Sequence, residues 1–109
     1  MKGYVMVGSS NLNTSKAFYD EVLAVLGMGS MYEDEVCIGY AHEGNADVEF
    51  YITKPANGEP VTFGNGTQIS FLTKTKEQVE KFHQIALGLG AINEGNPGFR
   101  PHDSNVYYA

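Results

Sequence analysis

The residues best able to do chemistry in this chain are polar groups set among apolar strand residues. Tyr4, Glu49, Tyr51, Gln68 and Ser70 each sit inside a short apolar run. Period-two alternation puts Tyr4 and Met6 on one face of their segment and Val5 and Val7 on the other. It sets Glu49 and Tyr51 against Val48, Phe50 and Ile52, and Gln68 and Ser70 against Ile69 and Phe71. Every segment then has one face suited to covering by a helix. The opposite face carries Tyr4, Met6, Glu49, Tyr51, Gln68 and Ser70, which is either solvated or the lining of a cavity. Bulky Tyr4, Met6 and Tyr51 favour a cavity, where apolar walls and a few polar groups orient a small molecule. Glu49 would attract a cationic group there.

Other chemistries find less support. Ser9, Ser10, Ser70 and Ser104 lack a nucleophile-elbow pattern or an evident histidine–carboxylate pairing. Gly64-Asn65-Gly66 has no following Lys-Ser/Thr and no strand-to-helix setting, so it reads as a turn. His42, His83 and His102 share no ligand spacing, and each reads as solvated. Cys37, the single cysteine, lies in an expected strand and reads as a packing residue. Arg100, the only arginine, could clamp a carboxylate or phosphate; the alternative is an ion pair with Asp103 or Glu94. If the chain ends in a strand, Tyr107 and Tyr108 face opposite ways and one of them could reach a cavity.

The elements that would position these groups follow from periodicity. A strand is expected over 4–8, and a helix over 14–27 with Asn11 or Asn13 as N-cap. Phe18, Val22, Val25 and Leu26 form its apolar stripe and Gly27 its stop. Strands are expected over 28–33, 36–42 and 47–53, and a Pro/Gly-rich linker over 55–66. A further strand over 67–73 precedes a helix that opens on the Thr75/Gln78 capping box and stops at Gly90. Its stripe is Val79, Phe82, Ala86 and Leu89. Only 105–109 looks strand-like after that. The spans 5–27 and 69–90 resemble each other, which suggests a duplicated module.

At 109 residues the chain suits one domain, 1–109, made of a first module (1–54), the linker (55–66) and a second module (67–109) that stops before its last strands. A net charge of −6 disfavours nucleic acid and anionic membranes as partners. No apolar stretch approaches a signal peptide or a membrane span, so a cytoplasmic location is expected.

The stretches VMVGSSNLNTSKAFYDEVLAVLGM, PANGEPVTFGNGTQISF, EQVEKFHQIALGLGA and GNPGFRPHDSNVYYA resemble, in order, the vicinal oxygen chelate superfamily of glyoxalases, bleomycin-resistance proteins and dioxygenases. The resemblance implies an α+β fold of paired βαβββ modules around a shared cavity, often in a homodimer. The second module is incomplete relative to that pattern. The tail would cross the cavity mouth, which makes His102 the histidine best placed to meet a ligand. The resemblance also implies metal-ligand positions, here Tyr4, Glu49 and Gln68, with no counterpart to a fourth. A catalytic ion needs at least three good donors. Glu49 and Gln68 supply two, and the Tyr4 phenol, with a reference pKa of about 10, is a poor third.

No cofactor is therefore expected; a divalent Zn, Ni, Fe or Mn held by Glu49 and Gln68 is the alternative. The expected function is metal-independent sequestration of a small molecule by Tyr4, Met6, Glu49, Tyr51, Gln68 and Ser70, with Arg100, His102 and Tyr107 approaching from the tail. An enzyme is the less favoured alternative, either a glyoxalase-like lyase or isomerase or an extradiol-type dioxygenase. A structural protein without a ligand is the third. An open edge on the 67–73 strand leads to the further expectation of a homodimer, with or without exchange of strands.

Overall fold

A computed structural model of the chain describes residues 3–102, 105 and 107–109. It divides into two compact units, Met1–Phe71 and Leu72–Ala109. The first unit runs β1 (Val5–Gly8), α1 (Leu12–Ala24), β2 (Met28–Glu33), β3 (Cys37–His42) and β4 (Phe50–Thr53). These strands form one sheet in the order β1-β4-β3-β2. β1 pairs parallel with β4, and the β2–β3 and β3–β4 pairs are antiparallel. A βαβββ unit produces this order when the helix crossover returns the chain to the far edge of the sheet.

α1 begins where Asn11 accepts a hydrogen bond from the Thr14 N–H at 3.1 Å, satisfying a donor the first turn leaves open. It ends before Gly27, whose φ of +76° is the left-handed stop a β-carbon would disfavour. The helix and the turn that follows it bury Val22, Leu23 and Leu26 in one core with Ile38, Tyr40, Phe50 and Ile52 of β3 and β4. Leu23 and Tyr19 therefore lie nearer the centre of the stripe than Phe18 and Val25. The Tyr19 ring stands 5.1 Å from Phe50. Burial raises the Tyr19 phenol above its ordinary pKa. Tyr40, fully buried, donates its hydroxyl to Asp20 at 2.9 Å, and the other oxygen of Asp20 takes Lys16 at 2.6 Å. Burial and then the Asp20 carboxylate push the Tyr40 phenol upward, so it stays protonated.

Two strand expectations need correction. Residues 67–73 form no strand. A strand exists only through its ladder, and no described strand pairs with this segment; Phe71 instead packs its ring edge-on against Phe50 at 5.2 Å. β4 also begins at Phe50, not at residue 47. Phe50 is the register partner of Tyr40, yet the Glu49 N–H also reaches the Tyr40 carbonyl at 2.8 Å. Two residues thus oppose one, as in a β-bulge, and alternation breaks at this point.

The second unit holds α2 (Lys76–Gly88). Thr75 caps it by accepting from the Gln78 N–H at 3.1 Å, and Gln78 reaches back to the Lys74 N–H at 2.7 Å. Gly90, with φ of +101°, ends it. The expected strand at 105–109 contributes one antiparallel bridge, Phe99 to Tyr108. Val106 of that segment lies outside the described residues. The Phe99 and Tyr108 rings meet edge-on at 5.2 Å, with the Lys76 ammonium 4.3 Å from the Phe99 centroid.

Candidate functional site

In the first unit the sheet face opposite α1 carries a row of facing residues, one per strand. Met6 of β1 pairs with Tyr51 of β4, Tyr51 with Gly39 of β3, and Gly39 with Tyr32 of β2. Tyr4 continues the β1 side and meets Tyr51 edge-on, with centroids 4.9 Å apart. Gly39 makes this arrangement possible. A β-carbon there would lie 2.9 Å from Tyr51 Cε1 and 2.9 Å from both Val48 methyls, closer than carbon atoms approach. The glycine lets the Tyr51 ring and the Val48 side chain settle over the strand.

Beside this row, Gly8 pairs with Thr53 and Thr53 with Cys37. The linker closes that end: Val61 lies 3.0 Å from where a Gly8 β-carbon would be. Met6, Gly8, Thr53, Pro60, Val61 and Thr62 border an open recess of 290 Å³. Met6 and Tyr32 remain about half exposed and Tyr4 somewhat more, a large apolar exposure for one sheet face.

At the β2–β3 turn, Tyr32 donates its hydroxyl to Asp34 at 2.6 Å. The other Asp34 oxygen accepts the Val36 and Cys37 N–H groups at 2.7 and 2.8 Å. The Tyr32 bond and then these backbone bonds hold the Asp34 carboxyl down to about 2. The Asp34 bond raises the Tyr32 phenol in return. Burial, then Asp34, raises the Cys37 thiol, which fits its reading as a packing residue.

Glu49 does not sit where strict alternation puts it. Its Oε2 accepts the His42 backbone N–H at 2.6 Å, and its two oxygens lie 2.8 and 3.1 Å from His42 Nδ1. Burial raises the Glu49 carboxyl, but the His42 backbone bond, the ring bond, the attraction of the ring and a bond from Asn45 outweigh it, and the net shift is downward. Val48 correspondingly lies over Gly39, on the face opposite the one alternation assigns it. His42, expected to be simply solvated, is held by this carboxylate. A bulge removes the period on which face assignment rests, so neither residue's partner was readable from the sequence.

The remaining expected residues lie apart from that row. Gln68 and Ser70 are exposed on an irregular segment, where the Gln68 amide donates to the Ser70 hydroxyl at 3.4 Å. Within the second unit, Arg100 donates to the carbonyl oxygens of Asn96 at 2.6 Å and Phe99 at 3.2 Å. Asp103, its expected ion-pair partner, lies outside the described residues. His102 is exposed and Tyr107 is half exposed. Tyr32 and Gly39 were not singled out from the sequence. A glycine inside an apolar strand is the usual sign of close approach, whereas a register shift between Ser30 and Tyr32 hides the facing of Tyr32.

The residues expected around a divalent ion each have another partner. The Glu49 carboxylate is on His42, the Tyr4 ring is on Tyr51, and the Gln68 amide is on Ser70. Among the described residues no three His, Cys, Asp or Glu side chains group as metal ligands. Both Glu49 oxygens are engaged by His42, and the Tyr4 phenol with the Gln68 carbonyl is too poor a donor set to fit a catalytic metal.

A crystal structure of a glyoxalase/bleomycin resistance protein from Albidiferax ferrireducens T118 is similar to this chain at 37% identity, with a TM-score of 0.80 over 92% of this chain and 79% of that one. The chain belongs to the glyoxalase/bleomycin resistance family. Identity at this level over most of both chains extends beyond fold, and it supports the superfamily resemblance carried by the sequence stretches. The α+β architecture of this family member is the one its sequence led us to expect. No family model matches the chain, and no curated protein does. Among the described residues, no helix is long and apolar enough to cross a membrane.

Proposed function

We propose that this glyoxalase/bleomycin resistance family member binds and sequesters a small planar aromatic molecule on the sheet face opposite α1, without a catalytic metal. The observation that carries this is the row Met6–Tyr51–Gly39–Tyr32 with Tyr4 edge-on to Tyr51. Aromatic rings and a thioether form an apolar bed, and ring-on-ring contacts add about 0.5–1.5 kcal/mol each beyond area burial. The open recess beside Met6 and Val61 gives a ligand of one or two rings a place to enter. The supporting phenol of Tyr32 is tied to Asp34 and stays protonated, which suits binding better than proton transfer.

Titration with 2-naphthol tests this. Saturable quenching that weakens at least tenfold in Tyr51→Ala is expected; equal binding in wild type and Tyr51→Ala would refute the site. Stoichiometric metal in protein prepared without chelator would overturn the metal-independent part.

We further propose a homodimer. β1 ends the sheet order, and Tyr4 just before it and its own Val5 and Met6 are 60%, 43% and 47% exposed. An apolar edge strand of this kind favours pairing with a second copy. Light scattering at micromolar concentration should give twice the chain mass; a stable monomer would contradict it.

A further inference from the structure

The structure assigns His42 as a specificity-determining residue that withholds the Glu49 charge from the ligand face; this rests on the binding face proposed above. The bulge at Glu49 and Phe50 gives Glu49 two places to go. With regular pairing it would share the face of Tyr51, two residues on, and its carboxylate would stand beside the aromatic row. In the observed arrangement both carboxylate oxygens are committed to His42, through the backbone N–H at 2.6 Å and Nδ1 at 2.8 and 3.1 Å. Val48, an apolar side chain, occupies the Gly39 position on that face instead.

The consequence is chemical. Tyr4, Met6, Tyr32, Tyr51 and Val48 carry no charge, so what draws a cation to this face is limited to the tyrosine rings and the Asp34 carboxylate beside Tyr32, and the Glu49 charge is not added to it. His42 is well suited to this role. Its ring supplies two contacts to the carboxylate, beside those from its own backbone N–H and from Asn45, and it is itself half exposed, so its removal leaves no large cavity. The backbone N–H bond and the bond from Asn45 remain in any His42 variant, which limits how far the carboxylate is released.

The experiment compares a matched pair of probes, neutral 2-naphthol and cationic 1-methylquinolinium, on wild type, His42→Ala and His42→Ala/Glu49→Gln. In His42→Ala the affinity for the cation relative to the neutral probe should rise measurably, up to about fivefold, the factor for one unit charge at contact distance in water. The double variant should return the ratio to the wild-type value. An unchanged ratio in His42→Ala, or a gain that survives Glu49→Gln, would overturn the assignment. A second measurement needs no ligand. Nuclear Overhauser contacts between the Glu49 side chain and the Tyr51 ring should strengthen in His42→Ala, and in His42→Gln if the alanine variant folds poorly; no change there would also overturn it. Failure of 2-naphthol to bind wild type would remove the binding-face reading, while the Overhauser comparison would still decide the role of His42.

Discussion

Replacing Gly39 by alanine is the sharpest perturbation of the sheet face. The added β-carbon would meet three side-chain atoms at 2.9 Å: Tyr51 Cε1, Val48 Cγ1 and Val48 Cγ2. Carbon atoms in contact prefer about 3.5–4.0 Å, so each neighbour must retreat by more than half an ångström. Tyr51 is flanked by Tyr4 and its strand is paired on both sides, so little slack is available. Overpacking of this kind costs about 1–3 kcal/mol. For a domain of this size that is a fall in melting temperature of roughly 5–20 °C. Thermal and urea unfolding followed by circular dichroism would read it, and the near-ultraviolet tyrosine signal should change with it. Gly39→Ala/Val48→Ala removes two of the three clashes and should recover part of the loss. A single variant that melts within about 2 °C of wild type would refute the close approach inferred at this glycine.

Three further outcomes are expected. Asn11→Ala removes the α1 cap and should lower stability by about 1 kcal/mol in urea unfolding, with Asn11→Ser recovering most of it. Tyr40→Phe loses the hydrogen bond to Asp20 but leaves Asp20 its lysine partner, so a loss of about 1 kcal/mol is expected from the same assay. The Asp34 carboxyl is held at about 2, below its unfolded value of 3.8, so its contribution to the β2–β3 turn is present above the unfolded value. That contribution should vanish as pH falls from about 4 through about 2; the Asp34 carboxyl resonance should titrate in that window, and titration at its ordinary value would contradict the bonding described.

Much of the fold was legible in local signals. Asn11, Gly27, Thr75 and Gly90 mark helix ends because caps and left-handed stops depend on residue chemistry within one turn. β2 was read with its observed bounds, and the helix-facing pair Phe50 and Ile52 followed from alternation. The failures cluster where a partner decides. Residues 67–73 alternate well but have no ladder, and sequence period cannot supply one. Glu49 and Val48 exchange roles because of a bulge that is defined by the Tyr40 carbonyl opposite them. His42 was read as solvated because its partner lies seven residues on, across a turn. Of the candidate site, Tyr4, Met6 and Tyr51 lie together on the sheet face. Gln68 and Ser70 lie on an irregular segment, and Arg100, His102 and Tyr107 belong to the other unit.

The most direct test of ligand binding on this face is a residue-resolved nuclear magnetic resonance titration with 2-naphthol. Saturating shifts concentrated on Tyr4, Met6, Tyr32 and Tyr51 are the expected result. Shifts centred elsewhere, such as the recess walled by Met28, Met31 and His42, or changes that never saturate, would contradict it.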